Sequence, residues 1–211
     1  MRNLSGLNFE NKEISLTFDD GPDERYTPQL LDLLKQHNIK ATFFVLGEKA
    51  EKYPQLIKRM AKDGHTVGLH ANKHVGAPFR SYKAMKQDFH HSIMVLKLLG
   101  IRVEYYRPPW GLVNIISAKF IKKYHFKSVL WTIHASDWSA RVDQAHIEKV
   151  LTEDVRPGDI ILLHDGRGAE GAPQRTIDAL KNALPIMKEK GFIFVSPRRP
   201  NGYEVEGEIL S

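Results

Sequence analysis

The 211-residue chain contains no cysteine. Disulfide frameworks, thiolate metal sites and cysteine nucleophiles are therefore excluded, and any transition-metal site must be built from His, Asp and Glu. No apolar run approaches the roughly 18 residues that suggest a membrane-spanning helix. Met1 to Lys12 is polar and lacks the apolar stretch of a secretory signal, so the expectation is either an intracellular protein or a chain that begins after a removed leader or anchor. There is no GxSxG segment, which removes the nucleophile elbow of a serine hydrolase. Low-complexity stretches, internal repeats and linkers are also lacking, and one domain is expected.

What is present is the composition of a globular protein, with 42% hydrophobic and 27% charged residues. A chain of this length buries a sizeable core. The net charge of +6 is spread along the chain rather than gathered into a basic block. It reads as solvated surface lysines, and no nucleic-acid partner is expected.

From Ile14 to Ser196 short apolar runs alternate with helical patterns. The runs are Ile14–Phe18, Ala41–Leu46, His65–Leu69, Val103–Tyr106, Lys127–Ile133, Asp159–Leu163 and Phe192–Val195. Helices are expected from Thr27 to about Asn38, and over Pro54–Lys62, Tyr82–Leu99, Ile115–Tyr124, Asp143–Asp154 and Gln174–Lys190, with Pro185 bending the last. Thr27-Pro28 supplies an N-cap and a proline for the first turn. About seven β/α repeats imply a parallel sheet, open or closed. The expected catalytic domain is 14–198, with a lead-in at 1–13 and a loose tail at 199–211.

The reactive residues fall where such a sheet places its active site. Asp19 and Asp20 follow the first run, His70 and His74 the third, Arg107 the fourth and Asp137 the fifth, while His164 ends the sixth. The carboxyl ends of parallel strands share one face, so these groups converge on one rim. His70 and His74 lie four residues apart, a spacing that shares a face on a helical turn. His90 and His91, in mid-helix, read as structural or exposed. With one carboxylate from another strand end, the two imidazoles make a His-His-Asp set that leaves positions open for water and substrate. Asp19 and Asp20 are adjacent, and both reach one centre if the chain bends at Gly21-Pro22. One can then hold a metal while the other takes a proton from water. His164, at the rim, is placed to protonate a leaving amine. Trp110 N–H is the first free donor after Pro108 and Pro109, suited to an oxyanion, and Arg107 can pin a carboxylate.

The segments TFDDGP (Thr17–Pro22), HxxxH (His70–His74), RPPWG (Arg107–Gly111), DW (Asp137–Trp138) and LLH (Leu162–His164) together resemble the NodB-like polysaccharide deacetylases, carbohydrate esterase family 4, over about Ile14 to Pro197. The resemblance implies a distorted (β/α) barrel, the NodB homology domain, of about seven parallel strands. It implies removal of acetyl from N-acetylglucosamine units of chitin-like polymers or peptidoglycan, and a cell-envelope or extracellular location. By the same resemblance Asp20, His70 and His74 hold a divalent metal, usually Zn2+, with Co2+, Mn2+ or Ni2+ as alternatives. Asp19 is the general base, oriented by Arg107, and His164 the general acid, oriented by Asp137. Trp110, Trp138 and Leu162 line the acetyl pocket. The chain departs from the family pattern at three places. Ala71 stands where a Ser or Thr hydroxyl usually supports the site, Leu69 where Asn is frequent, and His134 at the first acidic position of DxxDW. An O-acetyl esterase or small-amide hydrolase on the same fold, or a carbohydrate-binding relic without catalysis, stays open as an alternative.

Overall fold

The computed structural model describes residues 7–197. The expected tail at 199–211 and residues 1–6 of the lead-in lie outside the described residues. The strands are β1 (Glu13–Asp19), β2 (Thr42–Leu46), β3 (Thr66–Ala71), β4 (Tyr105–Tyr106), β5 (Lys127–Ser128), β6 (Ile133–His134), β7 (Ile160–His164) and β8 (Ile193–Phe194). The helices are α1 (Thr27–Gln36), α2 (Gly47–Lys52), α3 (Pro54–Lys62), α4 (Tyr82–Leu98), α5 (Ile115–Lys123), α6 (Gln144–Lys149) and α7 (Ala172–Glu189). All strand pairings are parallel, in the order β5-β4-β3-β2-β1-β7-β6, and β8 pairs with the start of β1.

Side-chain alternation along the strands separates two environments. On β1, Ile14, Leu16 and Phe18 enter the main core, where Leu30, Leu31 and Leu34 of α1 meet them. Phe18 stacks on Phe43 of β2 with ring centroids 5.2 Å apart. Fully burying such a side chain contributes roughly 1.5–3 kcal/mol. Thr17 and Asp19, of the opposite parity, point to the other side, where both meet Arg107. A smaller cluster fills that inner space, with Leu7, Phe44, Val129 and Ile160 packed together. Within the described part of the lead-in Leu7 is fully buried, whereas residues 8–12 are exposed. Gly68 of β3 has no room for a side chain, because a Cβ there would lie 2.8 Å from the Phe44 ring.

The expected strand over Lys127–Ile133 is two strands. β5 pairs with β4 at one end of the sheet and β6 with β7 at the other. Four residues, 129–132, bridge the gap, so β5 and β6 occupy one interrupted seventh position and bring the sheet's ends together. Val129 N–H donates to Tyr106 on one side and Thr132 N–H to Ile160 on the other. The carbonyls of Val129 and Leu130 accept instead from the guanidinium of Arg107, at 3.1 Å each. Smaller differences follow the same tertiary logic. The expected helix over Asp143–Asp154 is α6 followed by a π-type turn at Val150–Asp154. α2 was hidden in the sequence by its shortness, and α7 runs through Pro185.

Candidate metal and catalytic site

The carboxyl ends of β1, β3, β4 and β7 open onto a cavity of about 350 Å³. Asp19, Asp20, His70, His74, Trp110, Trp138, Leu162 and His164 all line it. Arg107 and Asp137 do not; each lies buried behind the group it contacts.

Asp19 ends β1, and Asp20 turns into the left-handed region at φ 70°. That turn, one residue earlier than Gly21-Pro22, lets consecutive carboxylates share one centre; Asp tolerates it better than most residues. Gly21 is required beside it, since a Cβ there would lie 2.3 Å from the Asp165 carboxylate. Asp19 Oδ1 accepts from Arg107 Nη1 at 2.7 Å. Arg107 is wholly buried and lies over the Phe44 ring, 4.1 Å from its centroid. Burial pushes its guanidinium down from the usual arginine range, and the Asp19 carboxylate opposes that shift.

His70 is the penultimate residue of β3 and His74 lies in the loop beyond, so the pair meets across a strand end rather than on a helical turn. The ring centroids are 5.2 Å apart. His70 Nδ1 donates to the Arg107 carbonyl at 2.7 Å, which turns Nε2 toward Asp20. Burial pushes His74 down to about 4, outweighing the Asp20 charge that opposes it, so this ring is neutral at ordinary pH. Both Nε2 atoms lie 3.5 Å from Asp20 Oδ1. That oxygen is buried and has no hydrogen-bond partner among the described residues. The three ligand atoms lie within 4.8 Å of one another. Two imidazoles around a buried carboxylate oxygen, at these separations, fit a divalent cation.

His164 ends β7, registered beside Asp19. Its Nδ1 donates to Asp137 Oδ1 at 2.9 Å, and its backbone N–H to Oδ2 at 2.8 Å. The Thr176 hydroxyl of α7 donates to the same Oδ2 at 2.8 Å. Burial works against a charged His164, but the hydrogen bond and charge of Asp137 prevail and push it up to about 9. This imidazole is protonated at neutral pH.

Other residues of the site had weaker sequence signals. Trp131, in the bridging segment, lines the cavity with Trp110 and Trp138, so all three tryptophans of the chain share it. Trp110 adopts φ 54°, an unusual conformation for a bulky residue, and sets its ring edge-on to His74 at 4.7 Å. His134 lines the same wall, 5.3 Å from the Trp138 ring, and Arg167 Nε stands 3.9 Å from Asp20 Oδ2. Lys49 of α2 donates to the carbonyls of Asp20 and Gly166, at 2.8 and 2.7 Å, tying two active-site loops together. Burial pushes the neighbouring Asp165 up to about 7, against a hydrogen bond from Thr27 and the charge of Lys49. Lys49 stands outside any motif and Trp131 within an expected strand, so neither contact was signalled, whereas Asp165 directly follows the LLH segment.

The polysaccharide deacetylase family model matches residues 6–129. The chain is 37% identical over 193 residues to a peptidoglycan-N-acetylglucosamine deacetylase of Bacillus cereus, covering 89% of this chain and 68% of that one. It is 32% identical over 192 residues to a chitooligosaccharide deacetylase of Sinorhizobium fredii, covering 87% and 89%. Among solved structures, it is similar to a peptidoglycan N-acetylglucosamine deacetylase in complex with a naphthyl-substituted N-hydroxybenzamide. That likeness has a TM-score of 0.83 and 36% identity over 90% of this chain and 88% of the other.

Proposed function

The chain belongs to the polysaccharide deacetylase family, and from that premise we propose that it hydrolyses the N-acetyl group of N-acetylglucosamine units in peptidoglycan or chitin-like oligomers. One observation carries the proposal. A cluster able to hold a metal, a carboxylate fixed by a buried arginine and a protonated histidine all face one cavity. The catalytic domain is 14–198, and a cell-envelope location suits the substrate.

Asp20, His70 and His74 would hold the divalent ion, and zinc suits two imidazoles with one carboxylate. When bound, such an ion polarises a carbonyl oxygen and lowers the pKa of water toward about 7. Asp19 Oδ1 is occupied by Arg107, so Oδ2 takes the proton from the attacking water. Arg107 fixes the direction of that carboxylate. The backbone N–H of Trp110 supplies a donor toward the developing oxyanion. His164 Nε2 gives its proton to the sugar nitrogen as the C–N bond breaks, while Asp137 holds the opposite ring nitrogen. Trp110, Trp138 and Leu162 shape an apolar wall for the acetyl methyl, joined by Trp131.

The test is acetate release from an N-acetylglucosamine oligomer and from peptidoglycan. Metal-stripped protein, zinc-restored protein and Asp19→Asn are compared. Zinc-dependent release that the substitution abolishes supports the proposal. No release from either polymer by zinc-loaded protein, with release from an O-acetylated sugar, would replace it with an esterase.

A further inference from the structure

We infer that Asp88 of α4 is a positioning residue for the metal-holding cluster, fixing the loop between His70 and His74 by accepting two of its consecutive backbone N–H groups. The inference rests on the reading of Asp20, His70 and His74 as a metal site.

β3 ends at Ala71, so ladder hydrogen bonds hold His70 but not His74. The intervening loop has to place His74 Nε2 against Asp20 by other means. Ala71 brings only a methyl group. The Asn72 N–H donates to Asp88 Oδ1 at 2.9 Å, and the Lys73 N–H to Oδ2 at 3.3 Å. One carboxylate therefore receives both donors, a charge-assisted pair stronger than amide contacts. From the other side the Asn72 carbonyl accepts from Glu48 N–H of α2 at 3.2 Å. The loop is clamped between two helices.

Asp88 is built to hold this geometry. It is 6% exposed, its negative charge is matched by the largely buried Arg80, and its own carbonyl accepts from the Ser92 hydroxyl at 2.7 Å. The second turn of a 17-residue helix gives it a rigid base. It does not line the catalytic cavity, so its effect must pass through the loop. A carboxylate buried on the core face of a helix is costly without such partners. Its identity follows from the two loop amides it satisfies.

The experiment measures zinc affinity by chelator competition for the wild type, Asp88→Asn and the surface control Glu51→Gln, together with the visible spectrum of the cobalt-loaded proteins. Amide hydrogen exchange at Asn72 and Lys73 is followed in the metal-free wild type. The expected result for Asp88→Asn is a loss of zinc affinity of about 10- to 100-fold, the range for groups that orient metal ligands, with an altered cobalt spectrum. Glu51→Gln keeps the wild-type affinity and spectrum. Both loop amides are expected to be protected in the wild type. A folded Asp88→Asn that binds zinc within twofold of the wild type overturns the inference. Amides that exchange as freely as an open loop overturn it too, even where the variant does not fold. A wild type that binds no zinc but protects both amides leaves the clamp standing and removes the metal reading instead.

Discussion

Arg107 and His70 meet through the backbone of one and the ring of the other, the His70 Nδ1–H donating to the Arg107 carbonyl at 2.7 Å. The same Arg107 reaches Asp19 with its guanidinium, also at 2.7 Å. One residue at the end of β4 thereby orients both a proposed metal ligand and the proposed base. It also satisfies the carbonyls of Val129 and Leu130 in the bridging segment.

Replacing Arg107 with Met should consequently damage stability as well as activity. Asp19 would be left buried beside the cavity without its cation, and two carbonyls would lose their donors. Breaking a buried ion pair from one side costs about 3–5 kcal/mol. Urea unfolding monitored by circular dichroism measures this, and a loss below about 1 kcal/mol would contradict the role assigned to the arginine.

Asp19→Asn should lower the turnover rate by about 10²- to 10⁴-fold, the usual contribution of a positioned base. The zinc affinity should change far less, because Asp20 supplies the carboxylate of the cluster. Parallel measurement of acetate release and bound zinc separates the two carboxylates. Equal losses in both would mean that their roles are shared.

Asp137→Asn should move the alkaline limb of the pH–rate profile. As the proposed acid, His164 must be protonated to donate, so activity is expected to fall as pH rises through its raised value of about 9. Without the Asp137 charge, the opposing effect of burial prevails and the fall begins at lower pH. The raised value also links to folding. The stability contributed by this pair is fully present below the ordinary histidine range, and is lost as pH rises through about 9. A limb unmoved by the substitution would assign it to another group.

Stripping metal should lower the thermal midpoint, and zinc should restore it. An ion present at about 1,000 times its dissociation constant adds roughly 4 kcal/mol to the native state. His74→Ala should flatten that response in a calorimetric titration. A midpoint indifferent to zinc in the wild type would exclude binding at the cluster.

All three tryptophans line the cavity, so intrinsic fluorescence should report its occupation. Adding an N-acetylglucosamine oligomer to metal-free protein should shift or quench the emission, and Trp131→Phe should diminish the change. Emission unaltered at saturating oligomer would place the sugar elsewhere.

Most of this site could be read from positions at strand ends, because a parallel sheet gathers those positions onto one rim whatever the loops do. Asp19, Asp20, His70, His74, Arg107, Asp137 and His164 were all proposed that way, and the structure brings them together around one cavity. The bend that joins the two carboxylates lies at Asp20 itself rather than at Gly21-Pro22, and His74 arrives by a loop rather than a helical turn. Residues held by distant partners were less legible. Lys49 meets Gly166, 117 positions away, and no local pattern signals that contact. Ser128 to Ile133 is rich in strand-forming residues, so propensity favours one unbroken strand. The interruption comes from having to pair with β4 at one end and β7 at the other.

That interruption gives the wall of the pocket an evolutionary latitude its neighbours lack. On β1 or β7 a change of register would turn every side chain to the opposite face. Leu130, half exposed, and Trp131 belong to no strand, though Leu130 retains its carbonyl tie to Arg107. New side chains there can remodel the entrance while the backbone ties to β4, β7 and Arg107 keep the ladder and the proposed metal and acid–base groups in register. It is the natural place to retune which sugar this scaffold accepts.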